Sequence, residues 1–255
     1  MSPTETERKI AFFLDFDNII LGVRDAKYER FEITMILERL LEKGKVLFKR
    51  AYADWTRYKD YKRDLHESAL ELIEIPERKY SGKNSADIRL VVDAMDLCYS
   101  KDHVDTFAIA SGDSDFSPLV SKLRENGKYV MGLGVKNSTS DLLVENCDEF
   151  VFYEDLVRES KAAGAKFEDL PKKKAQAFTL VIAAIRALRR DARETIWASM
   201  VKETIKRKKP SFDEGYYGYG SFSKLLEDMD ANHLLELEKD RRSGSYIITD
   251  YTTLT

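Results

Sequence analysis

The amino-acid sequence predicts an α/β domain with a mostly parallel sheet and helices on both faces, followed by a smaller domain of three helices and a hairpin. Three observations carry that prediction. Apolar strand-like runs alternate with amphipathic helical stretches over about the first 150 residues, the pattern of a sheet covered on both sides. The last third of the chain reads helix, helix, helix, strand, strand. The charge also changes sign between the two parts. Residues 1–160 hold 24 basic and 31 acidic side chains, residues 161–255 hold 18 and 14, while the whole chain of 255 residues carries only −3. An acidic part joined to a basic part points to different partners for each.

The elements follow in order. KIAFFLDFDN (9–18) is a continuous apolar run ending in carboxylates, read as a strand. FEITMILERLLEKGK has apolar residues at helical spacing and a stop at Gly44. VLFKRAYADW (46–55) reads as a strand and the stretch to about Leu72 as a helix. LIEIPERKY is a third strand, pushed to an edge by Pro76. SADIRLVVDAMDLCYS is a helix with Ser85 as N-cap. DTFAIASGDSD is a strand, FSPLVSKLRENG a helix closed by Gly127, and KYVMGLGV, a helix near 139–147 and DEFVFYEDL complete the series. The small, charged stretch before Lys174 reads as a linker, giving domains at 1–160 and 174–255 joined by 161–173. Beyond it, AQAFTLVIAAIRALRR, ETIWASMVKETIKRK and FSKLLEDMD are helical, and HLLELEK and SYIITD form a hairpin across DRRSG. That order is the winged helix-turn-helix.

Composition narrows the function. Apolar residues at 43% and charged residues at 34% suit a soluble globular protein. No apolar run approaches the roughly 20 residues that span a bilayer, and the polar N-terminus lacks a secretory signal. Two cysteines, Cys98 and Cys147, rule out a disulfide framework or a cysteine-based zinc site, and a cytoplasmic setting is expected.

Parallel α/β sheets place their sites at the carboxyl ends of strands, and the acids gather there. Asp15 and Asp17 close the first strand, Asp113 and Asp115 the fourth, and Asp87 opens the helix after the third strand's loop. With only three histidines, such a set suits an oxygen-liganded cation, Mg²⁺ or Mn²⁺. The matching chemistry is metal-assisted attack of water on a phosphodiester. Asn18, Ser111 and Ser114 flank the acids and could ligate directly or through water, although turn formation explains the serines as well.

LDFDN, KNSADIRLVVDAM and ASGDSDFSPLV, in that order, resemble the NYN domain, a PIN-like ribonuclease group that includes LabA-like proteins. The resemblance covers about residues 8–157. It implies a PIN-like fold and a divalent-metal nuclease site. Matched residue by residue, Asp15, Asp87, Asp113 and Asp115 are then the metal and catalytic acids. Asp17 completes the catalytic set with Asn18 beside it, and Asp93 is a supporting acid on the middle helix. The pair FFLDFD and SGDSD is also similar to haloacid-dehalogenase-type phosphatases. Ile19 departs from that pattern, however, and the later acidic motif is incomplete.

Trp55, Arg57, Tyr58 and Lys62 lie in a segment of interleaved aromatic and basic residues that could guide a single strand of RNA to the acids. The alternative is a helix packing its aromatic side on the sheet. Lys83 and Lys136 are loop lysines placed for flanking phosphates. GYYGYGSFSKLLEDMD, HLLELE and SYIIT resemble the OST-HTH/LOTUS domain, which implies RNA or protein binding. Lys206, Arg207 and Lys208 end its second helix, and Arg241 and Arg242 occupy the wing turn. The helix from Ser221 is acidic, which favours loop and wing contacts to RNA, or a protein partner, over duplex DNA. The sequence therefore suggests a metal-dependent endoribonuclease with an appended RNA-binding domain. A non-catalytic RNA-binding adaptor is the alternative.

Overall fold

The computed structural model describes residues 7–75, 85–163, 170–191 and 195–251. The chain divides into two compact units, Met1–Arg158 and Glu159–Thr255. The stretch read as a linker is helical at both ends, one helix running on to Ala163 and the next starting at Lys172, and residues 164–169, like Lys83, lie outside the described residues.

The first unit runs β1 (Arg8–Asp15), α1 (Phe16–Asp25), α2 (Ile33–Lys43), β2 (Gly44–Ala53), α3 (Lys59–Glu67), β3 (Glu71–Glu74) and α4 (Ser85–Ser100). It continues with β4 (Thr106–Ala110), a 3-10 turn at Ser114–Phe116, α5 (Ser117–Glu125), β5 (Tyr129–Gly134), a second 3-10 turn at Lys136–Ser138, α6 (Asp141–Asn146), β6 (Glu149–Phe152) and α7 (Tyr153–Ala163). All six strands pair in parallel, in the order β3-β2-β1-β4-β5-β6. β3 is an edge strand, as Pro76 suggests.

Alternation along β1 explains why its sequence is apolar throughout. Ile10, Phe12 and Leu14 enter one core with residues of α1 and α2, while Ala11 and Phe13 enter another with residues of α4 and α5. A strand covered on both faces has no polar side to show. The order of strands reverses direction between β1 and β4, and a sheet of this kind opens a crevice at the carboxyl ends of the strands there. Leu14 pairs with Ala110 as the two strands end, so Asp15 and Ser111 emerge side by side.

Several elements differ from their sequence reading. The fourth strand stops at Ala110, so Asp113 and Asp115 belong to the loop and 3-10 turn after it and do not close the strand. The first strand stops at Asp15 instead of running through Asp17. Phe16, Ile19, Ile20 and Val23 recur at helical spacing and are buried, and Asp15 caps that helix by accepting from the Asn18 backbone N–H at 3.4 Å. Asp17 therefore belongs to the first turn of α1 and does not close a strand. In the second unit, Ile196–Trp197 leave the helix predicted there and form a strand.

That unit runs α8 (Lys172–Arg190), β7 (Ile196–Trp197), α9 (Ala198–Lys208), a 3-10 turn at Glu214–Tyr217, α10 (Phe222–Ala231), β8 (Leu235–Lys239) and β9 (Tyr246–Tyr251). The strands form an antiparallel sheet in the order β7-β9-β8. Ser221 caps α10 by accepting from the Lys224 N–H at 3.2 Å. Its core joins Phe178, Val181 and Ile185 of α8 to Val201, Leu225, Leu226 and Ile248. Among the described residues, no helix is long and apolar enough to cross a membrane.

The interleaved aromatics of residues 53–64 also need correction as a stacking surface. Trp55 is 1% exposed and Tyr58 4%. Both pack on Phe16, with ring centroids 5.0 and 5.1 Å away. The Trp55 indole N–H donates to the Ile73 carbonyl at 3.0 Å. These rings join α1 to the segment after β2 and leave no face for a base. Trp55→Ala should therefore cost about 3–5 kcal/mol of stability in urea unfolding. Retained stability with loss of RNA affinity alone would contradict this packing role.

Candidate active site

Asp15 ends β1 and is only 5% exposed. Its carboxylate accepts from the Ser111 hydroxyl at 2.8 Å and, more weakly, from the Asn18 backbone. Burial drives its pKa from 3.8 to about 7. The Ser111 hydrogen bond opposes that rise, the charge on Asp87 adds to it, the Asn18 bond opposes it, and Asp17 adds to it again.

The loop after β4 is held against α1 and the loop after β5. Asn18 Oδ1 accepts from the Gly112 N–H at 2.8 Å, and the Ser140 N–H donates to the Gly112 carbonyl at 2.9 Å. A Cβ on Gly112 would lie 2.2 Å from the Ser138 carbonyl oxygen, so this approach requires glycine. Ser111 Oγ, besides donating to Asp15, accepts from the Asp113 N–H at 3.2 Å. Asp113 in turn caps the 3-10 turn by accepting from the Asp115 N–H at 2.9 Å.

Asp87, in the first turn of α4, is half-buried. Its pKa is raised by burial first and then by the charges of Asp113, Asp115 and Asp17. Acids from three separate segments therefore share one negative field. Asp17 is partly satisfied already: it accepts a short hydrogen bond from the Tyr58 hydroxyl and lies 3.6 Å from Arg57. That attachment spans 41 residues and has no signature in the local sequence.

Asp87 and Asp115 also face an open cleft of about 750 Å³, lined by Ile88, Val91, Val92, Ser114, Pro118 and Leu142 among others. The exposed apolar positions Ile88 and Val92 are the part of this site that sequence reasoning missed. The available signal was two apolar residues one helical turn apart on the outward side of a motif chosen for its acids.

The carboxylate and hydroxyl donors suit Mg²⁺ or Mn²⁺ chemically, and the repulsion that adds to burial in raising the Asp87 pKa is what a cation would relieve. Among the described residues, however, no three acidic, histidine or cysteine side chains are already gathered closely enough to hold an ion. Asp15, Asp17 and Asp113 each give lone pairs to protein donors instead.

Asp93 is engaged by the protein's own groups. It is buried, accepts from the Tyr52 hydroxyl at 2.9 Å and Arg89 Nε at 3.0 Å, and sits 3.7 Å from Arg50. It ties α4 to β2 through these contacts. Lys136 is exposed near the Phe152 ring, Arg57 is half exposed, and Lys62 is half-buried. In the second unit Lys206, Arg241 and Arg242 are exposed, Lys208 is half-buried, and Arg207 donates to Thr204 Oγ1 at 3.0 Å.

The Asp15 environment sets a pH dependence. Folded Asp15 holds its proton up to about 7, whereas the unfolded residue releases it near 3.8. The folded state thus binds the extra proton across that window, and stability falls as pH rises through it. Asp15→Asn should raise metal-free stability at about pH 8 by up to roughly 4 kcal/mol, and the gain should vanish below about pH 4. Urea unfolding in EDTA measures this; a variant less stable than the parent at the higher pH would contradict the buried-charge account.

Comparison with known proteins follows the same division of the chain. Residues 9–154 match the NYN domain, and residues 178–247 match the OST-HTH/LOTUS domain. A protein of Methanocaldococcus jannaschii, described as uncharacterised, is 29% identical over 149 residues, 57% of this chain and 55% of its own. The chain thus spans about half the length of that curated relative. A crystal structure of a protein of unknown function from Vibrio parahaemolyticus is similar with a TM-score of 0.53 and 26% identity, over 60% of this chain and 97% of that one. With more than half its length matched, and the acids of β1, α4 and the loop after β4 inside the match, the chain belongs to the NYN domain family, within the PIN-like nucleases, and carries an OST-HTH/LOTUS domain after it.

Proposed function

We propose that the protein is a divalent-metal-dependent endoribonuclease acting on single-stranded RNA, with the second unit as an RNA-binding domain. The observation that carries this reading is the buried Asp15, with its pKa near 7, at the β1/β4 reversal beside Asp87, whose acidity is coupled to Asp113, Asp115 and Asp17.

Asp15, Asp87, Asp113 and Asp115 would hold the cation. When bound, Mg²⁺ or Mn²⁺ lowers the pKa of a water and offsets charge on phosphoryl oxygens. The protein's own groups set the rest. Ser111 orients the Asp15 carboxylate through its hydroxyl, and Asn18 fixes the loop that presents Asp113. Tyr58 and Arg57 hold Asp17 on the first turn of α1, where it can position water. The apolar side of the cleft beside Asp87 and Asp115 gives the base of a nucleotide a surface to pack on. Lys136 serves a flanking phosphate. A cytoplasmic location fits a protein of this kind with two unpaired cysteines.

A non-catalytic RNA-binding adaptor is the second reading, and a specific observation favours it: the acids do not already close on one ion among the described residues. Labelled single-stranded RNA incubated with Mn²⁺ or Mg²⁺ separates the two. The nuclease reading expects internal cleavage that Asp113→Asn reduces on the order of 10²–10³-fold, comparable to removal of an electrostatic stabiliser. Binding without cleavage in either metal would leave the adaptor; cleavage surviving in Asp113→Asn would overturn the site assignment.

A further inference from the structure

With Trp55 and Tyr58 buried, the aromatic contact for a single strand must be sought elsewhere. Among the described residues of the second unit, one large apolar side chain is exposed: Tyr216, at 58%. It sits on the 3-10 turn Glu214–Tyr217, which ends at Gly218 with φ +91°, a conformation that favours glycine.

The ring packs against a buried neighbour. Tyr217 stands nearly perpendicular to it, with centroids 5.1 Å apart at 88°, and is itself buried against Phe212 at 5.6 Å. Lysines from two distant segments reach the tyrosine pair. Lys173 Nζ, from the first turn of α8, lies 4.4 Å from the Tyr216 centroid. Lys209 Nζ, from the C-cap of α9, donates to the Tyr217 hydroxyl at 2.8 Å.

Helix stability does not explain the α8 lysines. Lys172, Lys173 and Lys174 occupy its first turn with no acid among them, where the macrodipole disfavours positive charge. Lys174 is neutralised by Asp228 at 2.8 Å, whereas Lys172 and Lys173 are exposed. Of the acids on the aromatic turn, Glu214 is paired with Lys202 at 2.7 Å, and Asp213 is exposed. The net local charge is positive around an exposed, rigid ring.

We propose that Tyr216, with Lys173 over its ring and Lys209 on the adjoining Tyr217, is a platform on which a base of single-stranded RNA stacks while the lysines turn to neighbouring phosphates. Every base offers a π-face, so such a platform grips a strand without reading its sequence. An acidic peptide would use the lysines but has no need of the exposed ring. The inference rests on RNA being the ligand and not on cleavage, so binding is measured without divalent metal.

Fluorescence anisotropy of the full chain with labelled oligouridylate in EDTA tests it. Tyr216→Ala should weaken binding by roughly 5- to 150-fold, the range expected for one stacked base. Tyr216→Phe should stay near the parent and Tyr216→Leu should lose affinity, a comparison that holds even if the alanine variant folds poorly. Lys173→Ala should lower the slope of log affinity against log salt by about 0.7. On a strand of abasic riboses, parent and Tyr216→Ala should bind alike. Unchanged oligouridylate affinity in Tyr216→Ala and Tyr216→Leu, or an equal loss on the abasic strand, would overturn the platform. Tyr216-dependent binding in a protein that cleaves nothing would keep the platform and remove only the nuclease reading.

Discussion

The hydrogen bond from the Ser111 hydroxyl to the Asp15 carboxylate joins the ends of β1 and β4, and the arrangement of the candidate site follows from it. Both residues are almost completely buried, so the carboxylate has exchanged water for one strong donor and one weak one. That exchange is incomplete, and the rise in the Asp15 pKa records it. Ser111 also accepts from the Asp113 backbone, so the same hydroxyl sets where the next acid begins. A buried acid with unmet demand for positive charge burdens the fold, the kind of cost that functional sites carry in exchange for activity.

The sheet supplies the rigidity that this contact needs. Because β1 is packed on both faces, its last residue has little freedom, and the reversal of strand order leaves a crevice beside it. Asn18 and Gly112 then connect α1 to the loop after β4, and the close approach to Ser138 connects that loop to the next. Acids far apart in sequence thereby come to feel one another's charge. The cleft on the α4 side adds apolar surface next to that field, a pairing that suits a ligand with both bases and phosphates.

Much of this was legible in the sequence because its strongest signals are local. The doubly covered strands appear as unbroken apolar runs, and the acids appear where those runs stop. What remained hidden depended on contacts across the chain. Nothing near Trp55 reveals that Phe16 and the Ile73 carbonyl claim both its ring and its N–H. Asp93 reads as a supporting acid of the site, and nothing in its local sequence shows that Tyr52 and Arg89 hydrogen-bond its carboxylate. Asp17 follows an apolar run and so reads as a strand end, although the capping carboxylate of Asp15 had already begun a helix. Ile196 and Trp197 fit a helical pattern, but pairing with Ile247 and Ile248 of β9 overrides it. Lys83 lies outside the described residues.

The central claim is that the acids at the β1/β4 reversal form one cation site. A crystal structure of the protein grown with Mn²⁺, with anomalous scattering recorded from the metal, tests it most directly. The account predicts an anomalous peak within ligand distance, about 2.0–2.2 Å, of carboxylate oxygens from Asp15 and Asp113. Asp87 or Asp115 should complete the shell, and the peak should be lost in Asp15→Asn. No peak at that position at millimolar Mn²⁺, or a peak that persists in Asp15→Asn, would contradict it.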